Sequence, residues 1–190
     1  MPEWTDGVSV ILPVANAAAR LPAFFQALAR CEVLEVLLCD LGSTDATVAV
    51  GRDAGAHVFR TSGDPAEAVN NAAENTRGTA IWFLSPACRP PLYVGHDIQD
   101  ALASREIAAG YFPLRSSTGG ARGWWRAARA NLAASWRGAV RLEHGVFLRR
   151  ASFASCGGCP VQERFLPGLL ARLGEEGEIL KAPVQMTVEW

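Results

Sequence analysis

No apolar run in the 190-residue sequence approaches the ~20 residues needed to cross a bilayer, so no membrane-spanning helix organises it. The first residues, Met1 to Asp6, hold no basic stretch and no cleavage site, and a secretory leader is not expected. Charge of one sign is lacking too. With 18 basic and 19 acidic residues the formal net charge is −1, which gives no general pull toward nucleic acid, and none is expected as a partner. The five cysteines are odd in number and scattered, which argues against a disulfide framework. There is no internal repeat and no low-complexity tract. An apolar fraction of 49% against a charged fraction of 19% excludes a disordered chain and leaves a globular one. One compact domain over residues 1–190, in a bacterial-type cytoplasm, is the simplest expectation.

The most informative stretch runs from Val36 to Thr47. A short apolar run ends in Asp40, a turn follows at Gly42, and Ser43-Thr44-Asp45 precede a helical pattern. This reads as a strand, a tight loop and a capped helix start, with a carboxylate at the strand's carboxyl end, where open α/β sheets bind ligands. Further strands are expected at Val8–Val14, His57–Arg60, Ala80–Leu84 and Ile107–Pro113. Helices are expected at Leu21–Ala29, Thr44–Ala54, Pro65–Thr76 and Val94–Ser104. The order βαβαβαβ with short links implies a mainly parallel sheet covered on both faces. The second half is less regular. A glycine-rich loop spans 116–123, a helix Trp124–Ala139, a strand Val146–Arg150, a helix Gln162–Leu173 with Pro167 inside it, and a last strand Val184–Val188.

With these elements placed, the chain resembles family 2 glycosyltransferases of the GT-A fold, and most closely the selenodomain-associated transferases. Four segments carry the resemblance, which covers roughly Val8 to Val188. They are the opening strand and Pro-x-x-Asn turn at Val8 to Asn16, the Asp-x-Gly-Ser-Thr-Asp run at Asp40 to Asp45, Asn70 to Gly78 running into Ile81 to Leu84, and Val146 to Arg150 followed by Phe153 and Gly157-Gly158. The resemblance implies a three-layer α/β/α GT-A-like domain. Residues 8–113 would form its nucleotide-binding half and residues 114–190 its acceptor-side half. It also implies sugar transfer from a nucleotide-diphosphate donor.

Inverting transfer of that kind needs a carboxylate base for the acceptor hydroxyl, and usually a divalent cation to offset charge on the departing diphosphate. In the family the cation, magnesium or manganese, sits on an Asp-x-Asp-like motif after the fourth strand. Here that stretch is Ser85-Pro86-Ala87, so the metal-binding aspartate position is Ala87 and no metal ligand is assigned. The adjacent Cys88 thiol is a soft group poorly matched to magnesium. The resemblance assigns Glu163 as the base and Asp40 to the nucleotide, and the alternative for Asp40 is a carboxylate that satisfies the backbone amides of its own turn. Arg89, a planar cation beside the metal position, is the candidate to pair with phosphate in the metal's place, and a solvated surface arginine is the alternative. Ala17, Asp64-Pro65, Gln162-Glu163 and Glu143-His144-Gly145 are further departures from the family pattern. The rival reading is therefore a non-catalytic binding or scaffold protein on a degenerate transferase fold.

Other residues carry two readings each. His144 beside Glu143 is an acid/base pair or a loop histidine. Ser43 and Asp45 read as caps, and Asn70 as a structural anchor for the strand-four loop. Cys156-Gly157-Gly158-Cys159 has redox or zinc spacing, but the glycines match a turn and nothing completes a zinc set. Trp124, Trp125, Arg126, Arg129, Trp136, Arg137 and Arg141 form an aromatic, basic segment. It either lies on a membrane interface or acceptor or packs its tryptophans on the sheet with the arginines snorkelling to water. A mainly structural helix with one exposed aromatic edge, giving at most weak peripheral membrane contact, is the expectation.

Overall fold

The computed structural model describes residues 5–61, 64–160 and 165–190. β1 (Thr5–Val14), α1 (Leu21–Leu28), β2 (Glu35–Asp40), α2 (Thr47–Asp53), β3 (His57–Arg60), α3 (Pro65–Glu74) and β4 (Gly78–Phe83) follow in the expected order. Then come β5 (Cys88–Arg89), α4 (Val94–Ala103), β6 (Ile107–Tyr111), β7 (Leu114–Ser116) and α5 (Ala121–Arg137). The chain closes with β8 (Phe147–Arg149), α6 (Arg150–Ser155), α7 (Phe165–Glu176), β9 (Glu178–Lys181) and β10 (Met186–Val188).

The main sheet has the order β3-β2-β1-β4-β8-β6-β9. Its pairs are parallel except that β8 runs antiparallel to both β4 and β6. A small second sheet, β5-β10-β7, brings the last strand against the loop after β4.

Strand alternation builds the layers. In β1, Val8, Val10, Leu12 and Val14 face a cluster made with Leu21, Phe24 and Leu28 of α1 and Val94, Ile98 and Leu102 of α4. Ile11 faces the other side with Leu37, Ile81 and Phe83, under Val69 and Ala72 of α3 and Leu169, Leu170 and Leu173 of α7. Residues of period two thus feed two cores, one on each face of the sheet. This is a three-layer α/β/α architecture with a mainly parallel sheet. α3 starts where its sequence says: the Asp64 side chain accepts from the Ala66 amide at 2.7 Å, and Pro65 takes the first helical position.

Several boundaries differ from the sequence reading. α2 begins at Thr47 rather than Thr44, because the polar side chains before it bond the loop after β1 instead of capping a helix there. α5 begins at Ala121, inside the glycine-rich stretch. Gly123 packs where a Cβ would meet the Ser116 hydroxyl at 2.4 Å, so the helix starts against β7. The expected strand Val146–Arg150 is cut to three residues, and Arg150 opens α6. The helix expected over Gln162–Leu173 is described over Phe165–Glu176, with Gln162 itself outside the described residues. Short strands β5, β7 and β9 carry too few residues for a periodic signal.

The tryptophans of α5 do not pack on the sheet; the helix buries an alanine face and shows an exposed aromatic edge. Trp124, Trp125 and Trp136 are exposed, while Ala127 and Ala134 face the cores. Among the described residues, no helix is long and apolar enough to cross a membrane.

Candidate functional site

The carboxyl ends of β1, β2 and β3 lie side by side, with Val14 opposite Asp40 and Asp40 opposite Arg60. Asp40 is almost wholly buried. Its Oδ1 accepts the Ser43 amide at 3.0 Å, and its Oδ2 lies 3.4 Å from the Arg60 Nε. The carboxylate therefore stabilises its own turn and faces a cation that the sequence reading missed. The strand register alone would have placed that arginine there.

The loop after β2 is laced to the loop after β1. Asn16, in the left-handed region at φ 50°, donates its amide to Ser43 Oγ at 2.9 Å and accepts the Thr44 amide at 2.9 Å. Ala17 donates its amide to Thr47 Oγ1 at 2.7 Å, and Ala18 donates to Asp45 Oδ2 at 3.2 Å. The Thr47 hydroxyl and amide both donate to Asp45 Oδ1. Its hydrogen bond with Thr47, with the backbone amides adding to it, holds the Asp45 carboxyl below its usual range. Ser43 and Asp45 thus hold two loops together, a structural role somewhat different from a cap. The pair of loops forms one rim of the sheet's carboxyl edge, the edge at which open α/β sheets bind ligands.

The loop after β4 forms the next part of the rim. Ala87 is buried in the main core, and its carbonyl accepts the Glu189 amide at 3.0 Å. Cys88 is fully buried, its thiol directed at the Glu143 carbonyl at 3.5 Å, and burial pushes its pKa up to about 12. No group of three or more His, Cys, Asp or Glu suited to a metal ion occurs among the described residues. The residues present at this position do not fit a hard divalent cation. Arg89 donates to the Pro86 and Cys88 carbonyls at 3.2 and 2.9 Å and to Glu189 Oε2 at 2.7 Å. Its guanidinium braces the loop and the chain's last residues.

The expected base, Glu163, and Gln162 lie outside the described residues. Tyr111, at the end of β6, and His144, just before β8, are nearby parts of the same edge. Fully buried, His144 accepts the Arg141 amide at Nδ1 (3.1 Å) and sits edge-on to the Tyr111 ring, 5.9 Å between centroids. The backbone of Ala130 acts on the ring but gives its Nε2 no hydrogen bond of ordinary geometry. Burial, with the Arg141 charge adding to it, pushes the pKa of His144 down to about 4. A neutral imidazole closed off from solvent suits packing better than proton exchange. Glu143 turns to Arg141 instead, at 3.5 Å. Gly145 ends this short turn at φ 57°, a left-handed conformation that favours glycine.

Asn70 anchors a different loop from the one expected. It clamps Cys159, donating to its carbonyl at 3.0 Å and accepting its amide at 2.8 Å. It fixes the Gly157-Gly158 turn rather than the loop after β4. Cys156 and Cys159 are free thiols; burial raises both pKa values, that of Cys159 to about 12, which leaves them poor nucleophiles.

Away from this edge, α5, Val140 to Leu142, Phe165 to Pro167 of α7 and Trp190 enclose an open cleft of about 680 Å³. Arg126, Arg129 and Arg141 line it, and the Arg126 guanidinium lies over the Trp190 ring at 5.0 Å. Glu189, next to Trp190, ties this part of the chain to the loop after β4, and sequence reading had no signal for the cleft beyond the run of arginines.

No curated protein matches the sequence. Residues 9–86 match the family model described as glycosyl transferase family 2. Among solved structures, S. aureus TarS superposes with a TM-score of 0.71 at 13% identity, covering 97% of this chain and 37% of that one. Its 1–349 portion is covered to 60%. Glucosyl-3-phosphoglycerate synthase from Mycobacterium tuberculosis gives 0.63 at 21% identity, over 99% of this chain and 76% of that one. Mannosyl-3-phosphoglycerate synthase from Rubrobacter xylanophilus gives 0.65 at 18%, over 96% and 66%. Residues 9–86 therefore carry the signature of family 2 glycosyltransferases, on a chain that has the GT-A fold throughout.

Proposed function

We propose that this protein binds a nucleotide-diphosphate sugar at the carboxyl edge of β1, β2 and β4, and that its sugar-transfer activity is weak or lost. The observation that carries this reading is the contrast between two parts of one edge of the sheet. The rim around Asp40 keeps a complete lattice of hydrogen bonds among Asn16, Ser43, Asp45 and Thr47. The rim at Ala87 is apolar and closed by the chain's last residues. TarS is known in complex with UDP-GlcNAc, and the mycobacterial synthase with Mn2+ and UDP-glucose, which supports a uridine nucleotide as the first donor to test.

In this reading Asp40 receives hydrogen bonds from the nucleoside, while the Ser43 amide keeps it in place. Glu163 takes the proton of the acceptor hydroxyl as the oxygen attacks the anomeric carbon and the diphosphate leaves from the opposite face. Glutamate is one methylene longer than aspartate, and that alone shifts the basic oxygen. Arg89 supplies charge to the diphosphate only by releasing Glu189. The second reading, a non-catalytic binding protein, is favoured by the burial of Ala87. A transfer and donor-hydrolysis assay with UDP-sugars separates the two. Slow release of UDP that Glu163→Gln abolishes supports an enzyme. UDP-sugar binding without release supports the binding protein.

A further inference from the structure

The exposed face of α5 has no counterpart in the site just described. Trp124, Trp125, Leu132 and Trp136 are 62%, 60%, 56% and 82% exposed, which is unusual for large apolar side chains within one helix. At 3.6 residues per turn, Trp125, Leu132 and Trp136 fall within roughly 40° of one another and make a single ridge. Trp124 flanks it, edge-on to Trp125 at 5.1 Å between centroids. Arg122 and Arg129, both exposed, lie roughly 50° to the side of the ridge. The opposite face, with Ala127 and Ala134, is buried against the body of the domain.

Charge complementarity selects the partner. Residues 121–137 contain four arginines and no acid, in a chain whose net charge is −1. This helix therefore carries positive charge with no acid of its own to offset it, and Arg122 and Arg129 stand beside the aromatic ridge. Tryptophan rings with arginines alongside are suited to the headgroup level of an anionic bilayer, where the rings enter the interface and the guanidinium groups meet phosphate. We infer that α5 docks the protein on an anionic membrane surface through Trp125, Leu132 and Trp136, with Arg122 and Arg129 on the headgroups. Arg126 and Arg129 also line the open cleft beside Trp190, so docking sets that cleft at headgroup level. The contact is reversible, because one ridge on one helix buries far less than a spanning segment.

The test is flotation of the full chain with vesicles of phosphatidylcholine alone and mixed with phosphatidylglycerol, read together with tryptophan emission. Binding and a blue shift are expected with the anionic vesicles only. Raising salt from about 0.05 M to about 0.5 M should weaken binding at least about tenfold, as should Arg122→Gln with Arg129→Gln. Trp125→Ser with Trp136→Ser should do the same, with unfolding temperature unchanged because both side chains are exposed. No binding to anionic vesicles at low salt would overturn the inference, as would equal binding by the tryptophan variant. Self-association that covers the ridge in sedimentation, without lipid binding, would assign the face to a second copy instead.

Discussion

Restoring the family's aspartate by Ala87→Asp should harm this protein rather than repair it. Ala87 is 5% exposed, lies in the main core, and has its carbonyl taken by the Glu189 amide. Its neighbours offer little to a new carboxylate. The Cys88 thiol is directed at Glu143, and the Arg89 guanidinium already bonds two carbonyls and Glu189. A buried polar group without partners costs about 1–3 kcal/mol, more if charged. For a chain of this length that lowers the unfolding temperature by about 3–10 °C. Ala87→Asn, similar in shape without the charge, should cost less. The assay is thermal unfolding by circular dichroism, with and without UDP and manganese. An unchanged or raised unfolding temperature, with a manganese-dependent gain in UDP affinity of tenfold (about 1.4 kcal/mol), would refute the reasoning.

Two further predictions concern pH. His144 is buried neutral with its pKa near 4, below the ordinary 6.5, so the unfolded chain takes up the proton first. Stability should fall as pH drops from 6.5 and level off near 4, losing on the order of 3 kcal/mol; urea unfolding across this range should show a flatter slope for His144→Gln, and an identical slope would contradict the assignment. At the other end of the sheet, burial pushes the Glu35 carboxyl up. Hydrogen bonds from the Arg77 amide, Ser9 and the Arg77 guanidinium outweigh that and leave it below its ordinary value. Its contribution is therefore present above pH 4.5 and lost as the pH falls through the folded value. Glu35→Gln should cost about 1 kcal/mol at neutral pH, allowing for screening at the exposed Arg77, and nothing in strong acid. A cost that persists in acid would place its origin in packing.

The half of the fold that repeats one local pattern was legible in the sequence. β3 occupies His57–Arg60 as expected, and Asp40 ends its strand because an apolar run stops there before a glycine turn. The half after β6 was less legible for physical reasons. In α5 one aromatic edge was expected outward, yet the helix lies so close to β7 that alanines and Gly123 make the contact and Trp124, Trp125 and Trp136 all turn out. Arg89 joins Glu189, a partner 100 residues later in the chain, which no local pattern encodes. The same holds for Asn70 and Cys159. The hydrogen bond from the Glu189 amide to the Ala87 carbonyl was likewise not legible, because its partners lie far apart in the chain.

The central claim is that the nucleoside rim around Asp40 survives while the cation position does not. Calorimetric titration of the full chain with UDP and GDP, with and without manganese, tests it most directly when paired with Asp40→Asn. Asparagine keeps an oxygen for the Ser43 amide, so the turn is preserved while the carboxylate is removed. The account predicts weak binding of one nucleotide, nearly the same with and without manganese, and at least about tenfold weaker in Asp40→Asn (about 1.4 kcal/mol). Binding that requires manganese, or that Asp40→Asn leaves unchanged, would contradict it.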